Sequence, residues 1–184
     1  MSSNEYHFHT DWYVEGGLEE VADVLSDAPG FARWWPAVYL DVHELEHGDE
    51  HRVGCLVSLY TKGLLPYTLR WHCRITEAHY PYGFSLDAWG DFVGRGVWRL
   101  EAQGPLVHVS YDWQVRADKS LLRHLSFLLR PLFAANHRWA MARGEESLRL
   151  ELARRRAHTA EERAHIPPPP GPVWPIFRRP SPAS

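Results

Sequence analysis

The side chains with functional groups that face the predicted interior of this protein are mostly aromatic. Between residues 53 and 116 the apolar side chains alternate onto one face, whose centre carries no Asp, Glu, His, Lys or Arg. The polar groups of this face are the hydroxyls of Tyr67 and Tyr111, the indole N–H groups of Trp71, Trp98 and Trp113, and two thiols. General acid–base catalysis needs a titratable group within reach of the substrate. Aromatic walls with a few polar points are typical instead of a ligand site, although each ring could also be ordinary core.

Further polar candidates lie at the edges of this face. Asn136 is the single polar residue in an apolar helical stripe that includes Met141. Because a buried amide needs hydrogen-bond partners, Asn136 either fixes a neighbouring backbone or faces a ligand. His137 lies one step off the stripe and is interpreted as a boundary or surface residue. The alternation of residues 38–45 points Glu44 inward, but it sits at a strand end, where a solvated rim residue is the alternative.

No sequence motif indicates a metal, a cofactor or a known catalytic arrangement. The twelve histidines have no metal-ligand spacing with cysteine or carboxylate residues. Cys55 and Cys73 are too few for a disulfide framework and are predicted to be free, buried thiols. The sequence contains no nucleophile triad, phosphate loop or dinucleotide fingerprint. We therefore expect no metal and no cofactor, and the catalytic residues, if any, are unknown.

Composition limits the class of protein. The formal net charge of −3 over 184 residues gives no argument for nucleic-acid binding. The chain has no leader-like apolar segment and no apolar run long enough to span a membrane, so a cytoplasmic protein without stable membrane insertion is expected. Residues 1–158 are predicted to form one domain. Residues 159–184 form a proline-rich tail with Trp174 and Phe177. It is either a loose extension or a peptide ligand, for a protein partner or for the groove of this domain itself.

The elements that position these residues follow from periodicity. Period-two alternation predicts seven strands, at 6–14, 38–45, 53–62, 67–79, 84–90, 94–101 and 107–116. Two short helices are predicted after the first strand, at 18–25 and 28–35. A long helix is predicted over 120–156, with a kink or break at Pro131. Centring each hairpin on its turn residues pairs Cys55 with Cys73 and Trp98 with Val109.

Together these elements predict an α+β fold. A curved antiparallel sheet of about seven strands, with one wet face and one apolar face, would wrap around the long C-terminal helix. Inward-facing glycines such as Gly96 would mark a bend or a close approach.

Four local segments resemble a known superfamily. They are Trp34-Trp35-Pro36 and residues 65–71, 89–96 and 136–141. The sequence resembles the START-like superfamily (SRPBCC, Bet v 1-type, including polyketide cyclases/dehydrases) over about residues 4–155. The resemblance implies the helix-grip fold and a pocket between sheet and helix for an apolar or aromatic small molecule. The superfamily has no shared catalytic signature, so no catalytic residue is carried over.

Three functions remain open from the sequence. The first is binding of a polyketide- or lipid-like apolar molecule, the second a polyketide cyclase/dehydrase-like enzyme that assists aldol cyclisation or dehydration, and the third an interaction module that acts through the tail. The predicted ligand-binding residues are Glu44, Tyr67, Trp71, Trp98, Tyr111, Trp113, Asn136 and Met141.

Overall fold

The computed structural model describes residues 5–117 and 126–173 of the chain. Seven strands form one antiparallel sheet in the order β1-β7-β6-β5-β4-β3-β2. The strands are β1 (Glu5–Glu15), β2 (Tyr39–Glu46), β3 (Leu56–Lys62), β4 (Thr68–His79), β5 (Gly83–Gly90), β6 (Phe92–Gln103) and β7 (Leu106–Ala117). The helices are α1 (Leu18–Ser26), α2 (Phe31–Trp34), α3 (Ser126–Arg156) and α4 (Ala160–His165), with a short 3₁₀ turn at Ala28–Gly30. The predicted fold class is confirmed.

The strand pairing differs from the predicted register by two residues. Val57, and not Cys55, lies opposite Cys73, and Trp98 lies opposite Tyr111 rather than Val109. The β3–β4 loop is centred one residue later than predicted, which shifts every residue pair between β3 and β4 by two positions. Because side chains alternate with period two, an even shift leaves each of them on its predicted face.

Helix α3 crosses the apolar face of the sheet. Met141, Leu148 and Leu152 on its inner stripe are buried. The helix runs without interruption through Pro131, so the predicted break does not occur. Pro131 is exposed, and although proline has no backbone N–H to donate, this one missing hydrogen bond does not end the helix. The predicted beginning of this helix, before Ser126, lies outside the described residues.

The described segment after α3, residues 157–173, has no buried residue, although Ile166, Pro169, Pro170 and Pro172 are half-buried. Helix α4 begins with a capping box at Thr159 and Glu162 and has no buried residue. Trp174 and Phe177 lie outside the described residues.

No helix within 5–117 and 126–173 is both long and apolar enough to cross a membrane.

Candidate ligand-binding cavities

A cavity of about 200 Å³ lies between the sheet and the first half of α3; we call it the helix cavity. On the sheet its wall includes Tyr67, Trp71, Phe92, Tyr111 and Trp113, and on α3 it includes Phe133, Asn136, His137, Ala140 and Met141. Strand β1 adds two further aromatic rings, Tyr6 and Phe8. The space is therefore enclosed mainly by aromatic rings, with polar side chains both on the helix and on the sheet side, where Thr61, Lys62 and Asp91 also line it.

A second cavity, of about 300 Å³, lies nearer α1; we call it the hairpin cavity. The loops β2–β3, at Arg52, and β4–β5, at Tyr80 and Pro81, border it. Its apolar wall includes Leu25, Val57, Leu59, Ile75, Leu86 and Leu100. Charged side chains line it only from the β2–β3 loop, so its interior is apolar.

Three rings line both cavities and separate them: Tyr39, Trp71 and Tyr111. The indole Nε1 of Trp71 donates a hydrogen bond to Thr61 Oγ1 over 2.9 Å, which fixes that ring. Tyr111 stacks on Trp98, with ring centroids 4.0 Å apart. The partition is thus built from side chains of β2, β4 and β7 that are held by different partners.

Asn136 shapes one end of the helix cavity. Its Oδ1 accepts a hydrogen bond from the backbone N–H of Leu65 over 3.2 Å, so the amide fixes the β3–β4 loop against α3. A Cβ atom at Gly63 would lie 2.2 Å from this Oδ1, and only glycine permits that approach. Of the two predicted roles, the tie to a neighbouring backbone is present, and the side chain also lines the cavity.

His137 is half-buried, as expected of a boundary residue, but its ring also lines the helix cavity, which the sequence interpretation did not include. Its ring stacks on Phe8 with centroids 4.4 Å apart, and its Nε2 lies 3.3 Å from Thr10 Oγ1. Burial, with a smaller effect of the positive charge on Arg138, lowers the pKa of His137 to about 4. The imidazole is therefore neutral at pH 7 and offers the cavity a hydrogen-bonding group without charge.

The other predicted site residues divide between the two cavities. Tyr67, Trp113 and Met141 line the helix cavity, whereas Trp98 lines only the hairpin cavity. Glu44 lines neither cavity, so its inclusion in the site is wrong. Its carboxylate is 2.6 Å from Arg52 and also binds His47. Glu44 therefore takes the alternative role of a residue at the rim, at the end of its strand.

No protein-family model and no curated protein sequence matches this chain. Solved structures are nevertheless similar. A protein of Thermus thermophilus is 13% identical, with a TM-score of 0.67, over 83% of this chain and 100% of that one. The Zhui aromatase/cyclase of a Streptomyces species is 18% identical, with a TM-score of 0.66, over 85% and 98%. A START superfamily protein of Mycobacterium smegmatis is 14% identical, with a TM-score of 0.55, over 74% and 98%.

The chain has the helix-grip fold of these structures.

In this helix-grip domain, sequence reasoning missed Tyr39, because alternation through 38–45 assigned Val38 and Leu40 to the inner face. A register shift between Tyr39 and Asp41 interrupts that alternation, and Tyr39 lines both cavities. A β-bulge redirects side chains in this way, and no residue pattern in the segment announces it.

Lys62 was also missed. It is the last residue of β3, only 6% exposed, and it lines the helix cavity. Alternation would place Lys62 on the wet face with Tyr60, but at the strand end the chain turns into the loop that Asn136 fixes. The local geometry of that loop, rather than the strand pattern, decides its environment.

Both thiols line the hairpin cavity as free cysteines. Burial raises the pKa of Cys73 to about 12, and burial also raises the pKa of Cys55. Both are therefore protonated near neutral pH and act as small apolar side chains. Among the described residues, no group of three or more His, Cys, Asp or Glu could hold a metal ion.

Proposed function

We propose that this helix-grip domain binds an apolar or aromatic small molecule, polyketide- or lipid-like, in the helix cavity. The observation that supports this most is the wall itself, in which aromatic rings from the sheet and α3 surround an empty space of about 200 Å³. Engineered cavities of roughly 150 Å³ already accept benzene. Similar folds include an aromatase/cyclase and a START superfamily protein, which is consistent with such a ligand.

The few polar groups would orient the ligand. Asn136 and His137 come from adjacent positions on α3, and Tyr67 reaches the cavity from the β3–β4 loop, directly before β4. The amide of Asn136 is engaged by Leu65, and the imidazole of His137 is neutral. A ligand with one or two uncharged oxygen atoms among apolar rings would suit these three groups, and Lys62 and Asp91, which also line the cavity, would lie beside such an oxygen atom.

The test is a matched pair of cavity-filling variants. Ala140→Phe places a ring in the helix cavity, whereas Ala142→Phe makes the same change on the exposed side of the same helix. Tryptophan fluorescence quenching with aromatic polyketides, flavonoids, sterols and fatty acids would measure affinity. We expect saturable binding by the wild type and by Ala142→Phe, and a loss of roughly tenfold or more in Ala140→Phe. Equal binding by both variants would contradict the proposal, as would no binding across the panel.

A second candidate function is a cyclase/dehydrase-like enzyme, which His137 favours because it places a titratable group in the cavity. The pKa of about 4 makes this imidazole a weak base at pH 7, which favours binding over proton transfer. His137→Gln would separate the two. An enzyme would lose turnover of the bound compound in this variant, whereas a binding protein shows no product with either chain.

We also infer that residues 1–158 carry the ligand site and that 159–184 form an extension for a protein partner. The absence of buried residues in α4 supports this division. Removal of 159–184 should leave ligand affinity unchanged. A loss of affinity on truncation would make the extension part of the site.

A further inference from the structure

The partition between the cavities carries two hydroxyl groups. Tyr111 is only 9% exposed and Tyr39 is half-buried, yet both line each of the two cavities. Burial raises the pKa of both phenols, so both hydroxyls stay protonated and can donate. Within the described part of the chain neither hydroxyl has a hydrogen-bond partner, and neither is among the fully buried polar atoms that lack one, so both remain accessible from the cavities. An oxygen acceptor on a ligand would supply the missing partner.

The sheet is shaped to accommodate the hydroxyl of Tyr111. A Cβ atom at Gly96 would lie 2.9 Å from the Tyr111 hydroxyl oxygen, so any larger residue would displace it. The ring itself is held by stacking, on Trp98 at 4.0 Å and on Trp113 at 5.9 Å between centroids. Its hydroxyl therefore has a defined position between the two cavities.

Tyr39 is held less firmly. It lies on the edge strand β2 beside the register shift and makes tilted or edge contacts with Phe31 and Trp35. Trp71, by contrast, has its indole N–H bonded to Thr61. Of the three rings in the partition, Tyr39 is the one on an edge strand, where a rotation of its side chain would connect the cavities.

The volumes of the two cavities favour a single site that includes both. Ligand sites of proteins usually enclose roughly 300–1,000 Å³. The helix cavity, at about 200 Å³, falls below this range and the hairpin cavity, at about 300 Å³, lies at its lower limit. A ligand larger than this lower limit would extend through both cavities.

We propose that the two cavities form one site for an elongated, largely apolar molecule with an uncharged oxygen acceptor near its middle, bound by the hydroxyls of Tyr39 and Tyr111. The proposal rests on the proposed function and narrows its ligand class. The two apolar ends of the molecule would occupy the helix cavity and the hairpin cavity. A carbonyl or ether oxygen would lie between them, at the partition.

A matched pair of probes tests the hydroxyls. One is a symmetric diphenyl ketone with a two-carbon spacer on each side of the carbonyl; the other is the hydrocarbon with a methylene group in its place. Titration calorimetry should show that the wild type prefers the ketone by roughly 3- to 10-fold. The double variant Tyr39→Phe, Tyr111→Phe should lose this preference and keep its affinity for the hydrocarbon. Tyr82→Phe, which removes an exposed hydroxyl, should behave as the wild type.

Filling each cavity tests whether one molecule spans both. Leu86→Trp fills the hairpin cavity and Ala140→Phe the helix cavity, and thermal unfolding checks that both variants fold. We expect one ketone per chain and at least tenfold weaker binding in either variant. Two ketones in the wild type and one in each variant would overturn the proposal, because the cavities would then be independent. Equal affinity of the wild type for ketone and hydrocarbon would also overturn it, while leaving the proposed function intact. Failure of every aromatic probe to bind would instead reject the proposed function.

Discussion

The apolar stripe of α3 borders a cavity in the first half of the helix and packs closely against other side chains in the second half. In the first half, Ala140 faces the helix cavity. One turn later, Gly144 lies against the indole of Trp35, and a Cβ atom there would be 2.3 Å from Cζ2 of that ring. Both residues are small, but one small residue borders a space and the other allows close contact. Residue size alone therefore does not show where a cavity lies.

The two halves also differ in how they hold polar groups. The first half presents His137, neutral, to the cavity. The second half buries Glu151, which is 2% exposed, and binds it with both terminal guanidinium nitrogens of Arg33 and with Arg155. Burial opposes the charge of Glu151, but these hydrogen bonds outweigh burial and lower its pKa. The second half anchors α2 to α3, which leaves the first half to form a site.

The strongest test of this comparison is to place the same large side chain in each half. Gly144→Leu should lower the free energy of unfolding by about 3 kcal/mol, because a side chain at this position overlaps the buried indole of Trp35 and must displace it. Ala140→Leu should change it by less than about 1 kcal/mol, since the new side chain enters an existing space. Urea denaturation of both variants measures the difference. Equal losses would show that the first half is packed as tightly as the second.

A smaller effect is expected from the buried carboxylate. Glu151→Gln keeps the volume but weakens the charge-assisted bonds to Arg33 and Arg155, which should cost about 2 kcal/mol. The matched control is Glu146→Gln, on the same helix, whose exposed pair with Arg143 should contribute less than about 1 kcal/mol. If both changes cost the same in urea denaturation, Glu151 does not anchor α2.

The smallest expected effect is a pH dependence of the free energy of unfolding, caused by His137 in the first half of α3. The pKa of His137 is lowered from 6.5 to about 4, so the unfolded chain takes up the proton first as pH falls. The contribution of His137 to stability is complete above pH 6.5 and decreases toward pH 4. After allowance for its partial exposure, we expect a loss of roughly 1–2 kcal/mol. His137→Gln should reduce the loss of stability between about pH 7.5 and about pH 4.5. His165→Gln, at an exposed position on α4, should not change this loss. An unchanged loss in His137→Gln would mean that the His137 ring lies in solvent.

Alternation was enough to identify the sheet and its two faces. It was not enough for the register, because each predicted hairpin depended on the centre of its turn. Moving the centre of the β3–β4 loop by one residue separates Cys55 from Cys73, although both remain on the inner face. The period of the pattern therefore determines the face of each side chain, but it does not distinguish between registers that differ by an even number of residues.

The candidate site was predicted in part for the same reason. Trp71, Tyr111 and Asn136 follow from regular strand and helix patterns, and each lines a cavity. Tyr39 depends on an irregularity in β2, and Glu44 was misassigned because it reaches Arg52 at the rim instead of the interior. Irregular positions depend on contacts between distant segments, which a local pattern does not contain.

The sequence by itself determined the fold class, the order of the elements and the aromatic character of the interior, because these follow from local periodicity and composition. Only the tertiary structure decided that the interior holds two cavities, that Tyr39, Trp71 and Tyr111 separate them, and that His137 faces one of them. The physical reason is that an empty space is defined by the distances between elements far apart in the chain. Whether Ala140 and Gly144 border a void or a ring depends on where Trp35 lies.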